Sequence, residues 1–175
     1  MTLASKITIV RVIMVPVFMF LMLSGLQIPA FVVFVLASVT DFVDGYIARK
    51  YNQVSDFGKF MDPLADKLLV ISCMVIFCEW GRFPSWALML VLAREFGVTG
   101  LRLVAVESGR VIAAAWSGKI KTVATMIALC VMMVFAIEIL DFIAIAVIVL
   151  TTVVSGTEYF VKNWDVLGFS KDGNS

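Results

Sequence analysis

Long apolar runs alternate with short polar links along this chain, at roughly Thr8–Leu23, Ile28–Arg49, Lys59–Cys78, Pro84–Val106, Gly118–Leu140 and Asp141–Lys162. Each covers about 16–23 residues, and at a rise of ~1.5 Å per residue that crosses a hydrocarbon core of ~30 Å once end residues and tilt are allowed for. The pattern predicts an all-α integral membrane protein with six transmembrane helices, residues 1–164 forming one membrane domain and 165–175 a polar C-terminal tail. The first run has no A-x-A-like cleavage site and carries Pro16 in its middle, so it is expected to stay in the fold and not to be removed as a signal. Composition agrees. The chain is 62% apolar with a mean hydropathy of +1.04, whereas soluble domains are about 45–50% apolar.

Charge adds an orientation. Lys6, Arg11, Arg49, Lys50, Lys59, Arg102, Arg110, Lys119, Lys121, Lys162 and Lys171 fall on the side shared by the N-terminus, the second and fourth links and the C-terminus, while Arg82 stands alone on the other. Positive loops stay in the cytoplasm, so both termini are expected there, with the Ser24–Pro29 and Glu79–Ser85 links and the Glu138–Asp141 corner outside. The net charge of +1 conceals this polarity. Cys73, Cys78 and Cys130 lie inside apolar runs without C-x-x-C spacing, which reads as small soft core filler and not as a metal site.

The second and third runs depart from this scheme. Five of the thirteen acidic residues fall between Ser38 and Lys67, pressed between apolar stretches. Asp41 and Asp44 are spaced i, i+3 and Asp62 and Asp66 i, i+4, so each pair shares a helix face. Counting rise from the helix ends puts both pairs about 10 Å below the cytoplasmic face. The short link makes the two helices antiparallel neighbours, and the pairs are expected to meet. Four carboxylates at one depth need compensating charge. Arg49, Lys59 and Lys67 are too few to neutralise them, whereas an all-oxygen cluster suits Mg²⁺, Mn²⁺ or Ca²⁺. The absence of histidine argues against zinc. A set of buried ion pairs with Arg49 and Arg94 is the bland alternative; Gly45 and Gly58, which open space for a large ligand beside the acids, weigh against it.

Written out, the stretch is Asp41-x-x-Asp44-Gly45-x-x-Ala48-Arg49, eight residues, then Gly58-x-x-x-Asp62-x-x-x-Asp66. It resembles, at all eight fixed positions, the signature of the CDP-alcohol phosphotransferase family. The resemblance implies transfer of a phosphatidyl or related group from a cytidine-diphosphate donor to an alcohol, with release of CMP, at a site holding two divalent ions, Mg²⁺ or else Mn²⁺. By that similarity Asp41, Asp44, Asp62 and Asp66 are metal ligands, Asp66 also being the general base. Gly45, Arg49, Ser55 and Gly58 would hold the CDP-diacylglycerol donor. Many members begin with Leu-Pro-Asn; here Ala4 and Ser5 replace Pro and Asn, Ser5 remaining able to cap the first helix. Thr8, toward the donor, and Arg11, toward the acceptor, remain binding candidates.

The acceptor has to be read elsewhere. Arg102, Arg110, Lys119 and Lys121 are expected to surround the cytoplasmic mouth of the site. Singly each satisfies the positive-inside rule; together, with Lys59 and Arg11, they offer charge-assisted hydrogen bonds to an anionic acceptor. The segment "REFGVTGLR" followed by "SGKIKT" resembles the phosphatidylglycerophosphate synthase branch, which implies sn-glycerol 3-phosphate as acceptor. Arg94, within that segment and near the midplane, is expected to be paired, with Glu95 beside it. The same chemistry on an inositol phosphate or serine, or a divalent-cation transporter, are the competing readings. The acids gather toward one face and no internal repeat appears, which disfavours the transporter. The resemblance further implies a homodimer in a bacterial plasma membrane, with the active site facing the cytoplasm. The lipid bilayer is the expected partner, and nucleic acid is not.

Overall fold

The computed structural model describes the backbone of residues 3–51, 56–107, 109, 110, 112, 113 and 115–167. Side chains are described for residues 10, 12–40, 67–107, 109, 110, 112, 113, 115–164 and 166. Among the described residues there are six α-helices and no strand: α1 (Leu3–Leu23), α2 (Gln27–Tyr51), α3 (Asp56–Glu79), α4 (Ser85–Glu107), α5 (Trp116–Val134) and α6 (Glu138–Lys162), followed by a 3-10 turn at Trp164–Leu167. Of these, α5 and α6 are long and apolar enough to cross a membrane.

Each apolar run became a helix, with two shifts at the ends. Helix α1 starts at Leu3, ahead of the expected Thr8. Ser5 is therefore an interior helical residue and not a cap, since nothing in Leu3–Ala4 stops a helix from growing backwards. Helix α5 ends at Val134 instead of Leu140, and α6 begins at Glu138, with Phe135–Ile137 non-helical between them. Glu138 and Asp141 then lie in the first turn of α6, where negative charge complements the unpaired N–H groups of a helix start.

Helices α1, α3 and α4 end in the same way. At α4, Gly109 N–H donates to Val106 O (3.0 Å) and Arg110 N–H to Ala105 O (2.8 Å), with Gly109 at φ 70°. This is a Schellman closure, in which a left-handed glycine lets two amides return to the last turn. Gly25 and Gly81 do the same after α1 and α3.

The chain forms two compact units. The first joins α1, α2 and α3 with Met133–Phe135; α1 packs on both its neighbours, and α2 on α3. Its core is built at helical spacing from Val15, Phe18 and Met22 of α1, Ala30, Phe34 and Ala37 of α2, and Leu69, Cys73, Met74, Ile76 and Phe77 of α3. The Phe18 and Phe34 rings lie 5.6 Å apart. At its edge the Arg82 guanidinium sits 5.0 Å from the Phe77 ring centre and donates to Phe135 O at 3.0 Å.

The second unit holds α4, α5, α6 and the 3-10 turn. Helix α4 packs against α6 and against the turn. Buried positions recur at helical spacing, every three, four or seven residues: Ala87, Val91, Val98, Leu101 and Ala105 on α4, and Ala144, Ile148, Thr152, Ser155 and Tyr159 on α6. The opposite faces of α5 and α6 expose Ile120, Val123, Ile127, Phe142, Leu150 and Val154, as suits helices whose surroundings are apolar.

Candidate functional site

The acid motif spans two consecutive helices of the first unit. Asp41, Asp44, Gly45 and Arg49 belong to α2, and Gly58, Lys59, Asp62 and Asp66 to α3. Because α2 packs on α3, the helical spacing that gives each acid pair one face is realised in the backbone. The side chains of these residues, and of Thr8 and Arg11 on α1, lie outside the described residues, as does Ser55 altogether. Their donor chemistry nonetheless fits a hard divalent cation: four carboxylates on two neighbouring helices, with no thiol or imidazole among them. Among the residues whose side chains are described, no group of three or more acids or thiols is placed to hold a metal.

A second polar constellation lies within the second unit, where the latter half of α4, the start of α5 and the end of α6 converge. Arg94 continues the buried stripe of α4, three residues after Val91 and four before Val98, and therefore faces inward. It donates through Nη1 to Glu95 Oε1 at 2.9 Å and through Nη2 to Ser155 Oγ at 2.5 Å. Lys121 Nζ donates to the same Glu95 oxygen at 2.6 Å. Side-chain exposures are only 10% for Arg94, 14% for Glu95 and 6% for Lys121, so one carboxylate holds two cations away from water. Two glycines make room: a Cβ on Gly118 would stand 3.4 Å from Arg94 Nη2, and one on Gly156 3.2 Å from Arg94 Cγ.

Two turns further along α4, Arg102 Nη2 donates to the Tyr159 hydroxyl at 2.5 Å. The same hydroxyl accepts from Ala115 N–H at 2.9 Å and donates to Ala113 O at 3.4 Å. The Arg94 and Arg102 guanidinium carbons lie 5.5 and 5.3 Å from the Tyr159 ring centre, within cation–π range. The unit thus brings Arg94 and Lys121 onto the Glu95 carboxylate and Arg102 onto the Tyr159 hydroxyl. The Nε groups of Arg94 and Arg102 are buried and have no hydrogen-bond partner among the described residues, an unusual state for a charged donor.

The expected acceptor-side residues are thereby distributed. Arg102 and Lys121 belong to this network; Lys119 is exposed and lies 4.8 Å over the Trp116 ring; Arg110 is exposed just past the α4 closure. Arg94 pairs with Glu95, as its depth demanded. The cation pattern gave no hint of Ser155 and Tyr159. The available signal was their position on α6, where Thr152, Ser155 and Tyr159 share one face of a helix that carries no charge from Phe142 to Thr157.

Comparison with known proteins adds an independent finding. Residues 1–155 match the model of the CDP-alcohol phosphatidyltransferase family. The chain is 42% identical to the Bacillus subtilis protein named CDP-diacylglycerol–glycerol-3-phosphate 3-phosphatidyltransferase, over 94% of this chain and 96% of that one. It is 39% identical to the Escherichia coli K12 protein of the same name, over 71% and 72%. A Mycobacterium tuberculosis H37Rv protein named "Probable phosphatidylglycerophosphate synthase" is 35% identical, over 91% and 80%.

Proposed function

The chain belongs to the CDP-alcohol phosphatidyltransferase family, and from that premise we propose that it transfers the phosphatidyl group of CDP-diacylglycerol to sn-glycerol 3-phosphate, giving phosphatidylglycerol phosphate and CMP. One observation carries the reading: all eight signature positions stand on the consecutive helices α2 and α3, in a chain that aligns almost end to end with a relative named for this reaction.

In the proposed step the glycerol 1-hydroxyl oxygen bonds to the β-phosphorus, the one bearing diacylglycerol. The bond from that phosphorus to the bridging oxygen breaks, and CMP leaves with the oxygen and its electron pair. The hydroxyl proton passes to the Asp66 carboxylate, since an alcohol far less acidic than water-exposed carboxylic acids needs a base within reach. Asp41, Asp44, Asp62 and Asp66 are the residues that would hold divalent ions, which are in general use in the family. When bound, two such ions, Mg²⁺ or Mn²⁺, neutralise the diphosphate and the charge that builds on the attacking and leaving oxygens. Gly45, Arg49, Ser55, Gly58 and Thr8 take the donor. Arg102, Arg110, Lys119, Lys121, Lys59 and Arg11 take the phosphate of the acceptor, for which a basic lining is chemically required.

All six helices span the bilayer in this reading, residues 1–164 forming the membrane domain and 165–175 the tail. Both termini and the active site face the cytoplasm of a bacterial plasma membrane, and the protein works as a homodimer. The charge asymmetry of the links, the apolar faces of α5 and α6 and the bacterial sources of its relatives support this arrangement.

The test is CMP release by the purified protein with CDP-diacylglycerol and Mg²⁺, comparing glycerol 3-phosphate, serine and an inositol phosphate. Release is expected with glycerol 3-phosphate alone, abolished by EDTA, restored by excess Mg²⁺, and lost by at least about 100-fold in Asp66→Asn, as removal of a general base implies. Release with another alcohol would refute the acceptor assignment, and metal-independent release would refute the site.

A further inference from the structure

We infer that Tyr159 is a positioning residue for the acceptor's phosphate: it holds Arg102 and the connection after α4 in the arrangement that receives the anion, an inference that rests on the reaction proposed above. Tyr159 is 2% exposed, and its hydroxyl is fully committed. A phenol offers one donor and two acceptor positions, and all three are used, by Ala113 O, Ala115 N–H and Arg102 Nη2. No capacity is left for substrate, so the group acts through what it holds.

What it holds is informative. Arg102 comes from α4, and Ala113 and Ala115 flank the end of the connection that also carries Arg110, so a single oxygen on α6 fixes both the guanidinium and the backbone around it. Arg102 spends one N–H on the phenol, while its Nε is buried and without a partner among the described residues. A guanidinium has five donors in a rigid fork, which leaves it equipped to take a phosphate oxygen. Charge points the same way. Glu95 is engaged with Arg94 and Lys121, whereas Arg102 meets a neutral oxygen and a ring. An anion is the missing complement.

The experiment measures CMP release in detergent with CDP-diacylglycerol and Mg²⁺, each substrate varied in turn, for wild type, Tyr159→Phe, Arg102→Ala and the double variant, with thermal midpoints alongside. Phenylalanine keeps the ring and removes only the hydroxyl. The expected result is a rise of about tenfold in KM for glycerol 3-phosphate, the order set by one charge-assisted hydrogen bond, with kcat and the KM for CDP-diacylglycerol within about twofold of wild type. In the Arg102→Ala background, Tyr159→Phe should add nothing to that KM. Equal KM rises for both substrates, a fall in kcat with KM unmoved, or an undiminished effect without Arg102 would overturn the inference in favour of a scaffold role. If Tyr159→Phe does not fold, Arg102→Lys reads the same contact from its other side, and an unchanged KM for glycerol 3-phosphate overturns the inference. Wild type failing to turn over glycerol 3-phosphate while using another alcohol would instead refute the parent reaction, and this inference with it.

Discussion

Replacing Glu95 by glutamine removes one charge and almost no volume, which makes it the sharpest probe of the network in the second unit. The carboxylate binds Arg94 at 2.9 Å and Lys121 at 2.6 Å with all three side chains at most 14% exposed. Removing one member of a buried ionic set costs about 3–5 kcal/mol, because the remaining charge stays buried and unpaired. Arg94 keeps Ser155 and the Tyr159 ring, so the burden falls on Lys121 and the lower end of the range applies, about 3 kcal/mol. For a chain of this length each kcal/mol moves the melting midpoint by about 2–4 °C, so Glu95→Gln should melt about 6–12 °C below wild type in the same detergent. Adding Lys121→Met removes the stranded ammonium and should recover at least half of the loss, since a buried pair replaced as a pair is often neutral. A Glu95→Gln midpoint within about 1 °C of wild type, or a double variant less stable than Glu95→Gln, would refute the reasoning.

Two further outcomes follow from packing. A Cβ on Gly97 would stand 3.0 and 3.3 Å from two Phe160 ring atoms, whereas one on Gly100 meets nothing within 4 Å; Gly97→Ala should therefore lose about 1–2 kcal/mol from ring displacement net of helix propensity, while Gly100→Ala should be neutral or gain up to about 1 kcal/mol. Melting midpoints that move in the same direction would contradict this. Arg82→Ala removes a cation–π contact and a hydrogen bond to Phe135 O and should cost about 1–2 kcal/mol without changing the KM for either substrate; thermal melts together with initial rates read both halves.

Helix existence was legible in the sequence because apolar run length and polar links are local signals, whereas the glycine closures after α1, α3 and α4 emerge only in the structure. The α5–α6 break was not, since Val131–Ile137 contains no glycine, proline or charge. There the non-helical carbonyl of Phe135 is met by Arg82, 53 residues away, a tertiary fact that no local pattern encodes. The site divides along the same line. The acid signature and the pairing of Arg94 with its neighbour Glu95 could be read directly. The contacts of Lys121 with Glu95, Arg102 with Tyr159 and Arg94 with Ser155 span 26, 57 and 61 residues, and depend on which faces of α4 and α6 meet. Cations announce themselves by type; the neutral hydroxyls that hold them do not.

The Glu95–Lys121 pair also bears on how such a chain is made. A lysine costs an inserting helix most at its centre, about 2.5–3.5 kcal/mol, and less toward its ends; Lys121 stands in the second turn of α5 with its side chain buried against Glu95. During synthesis from the N-terminus, α4 emerges before α5, so the carboxylate that receives this ammonium is already available when the ammonium arrives. Helix α6, uncharged from Phe142 to Thr157, follows at once and is the more apolar of these two helices. Acid first, base second and greasy partner third is an order in which the ammonium meets its carboxylate as soon as it is made.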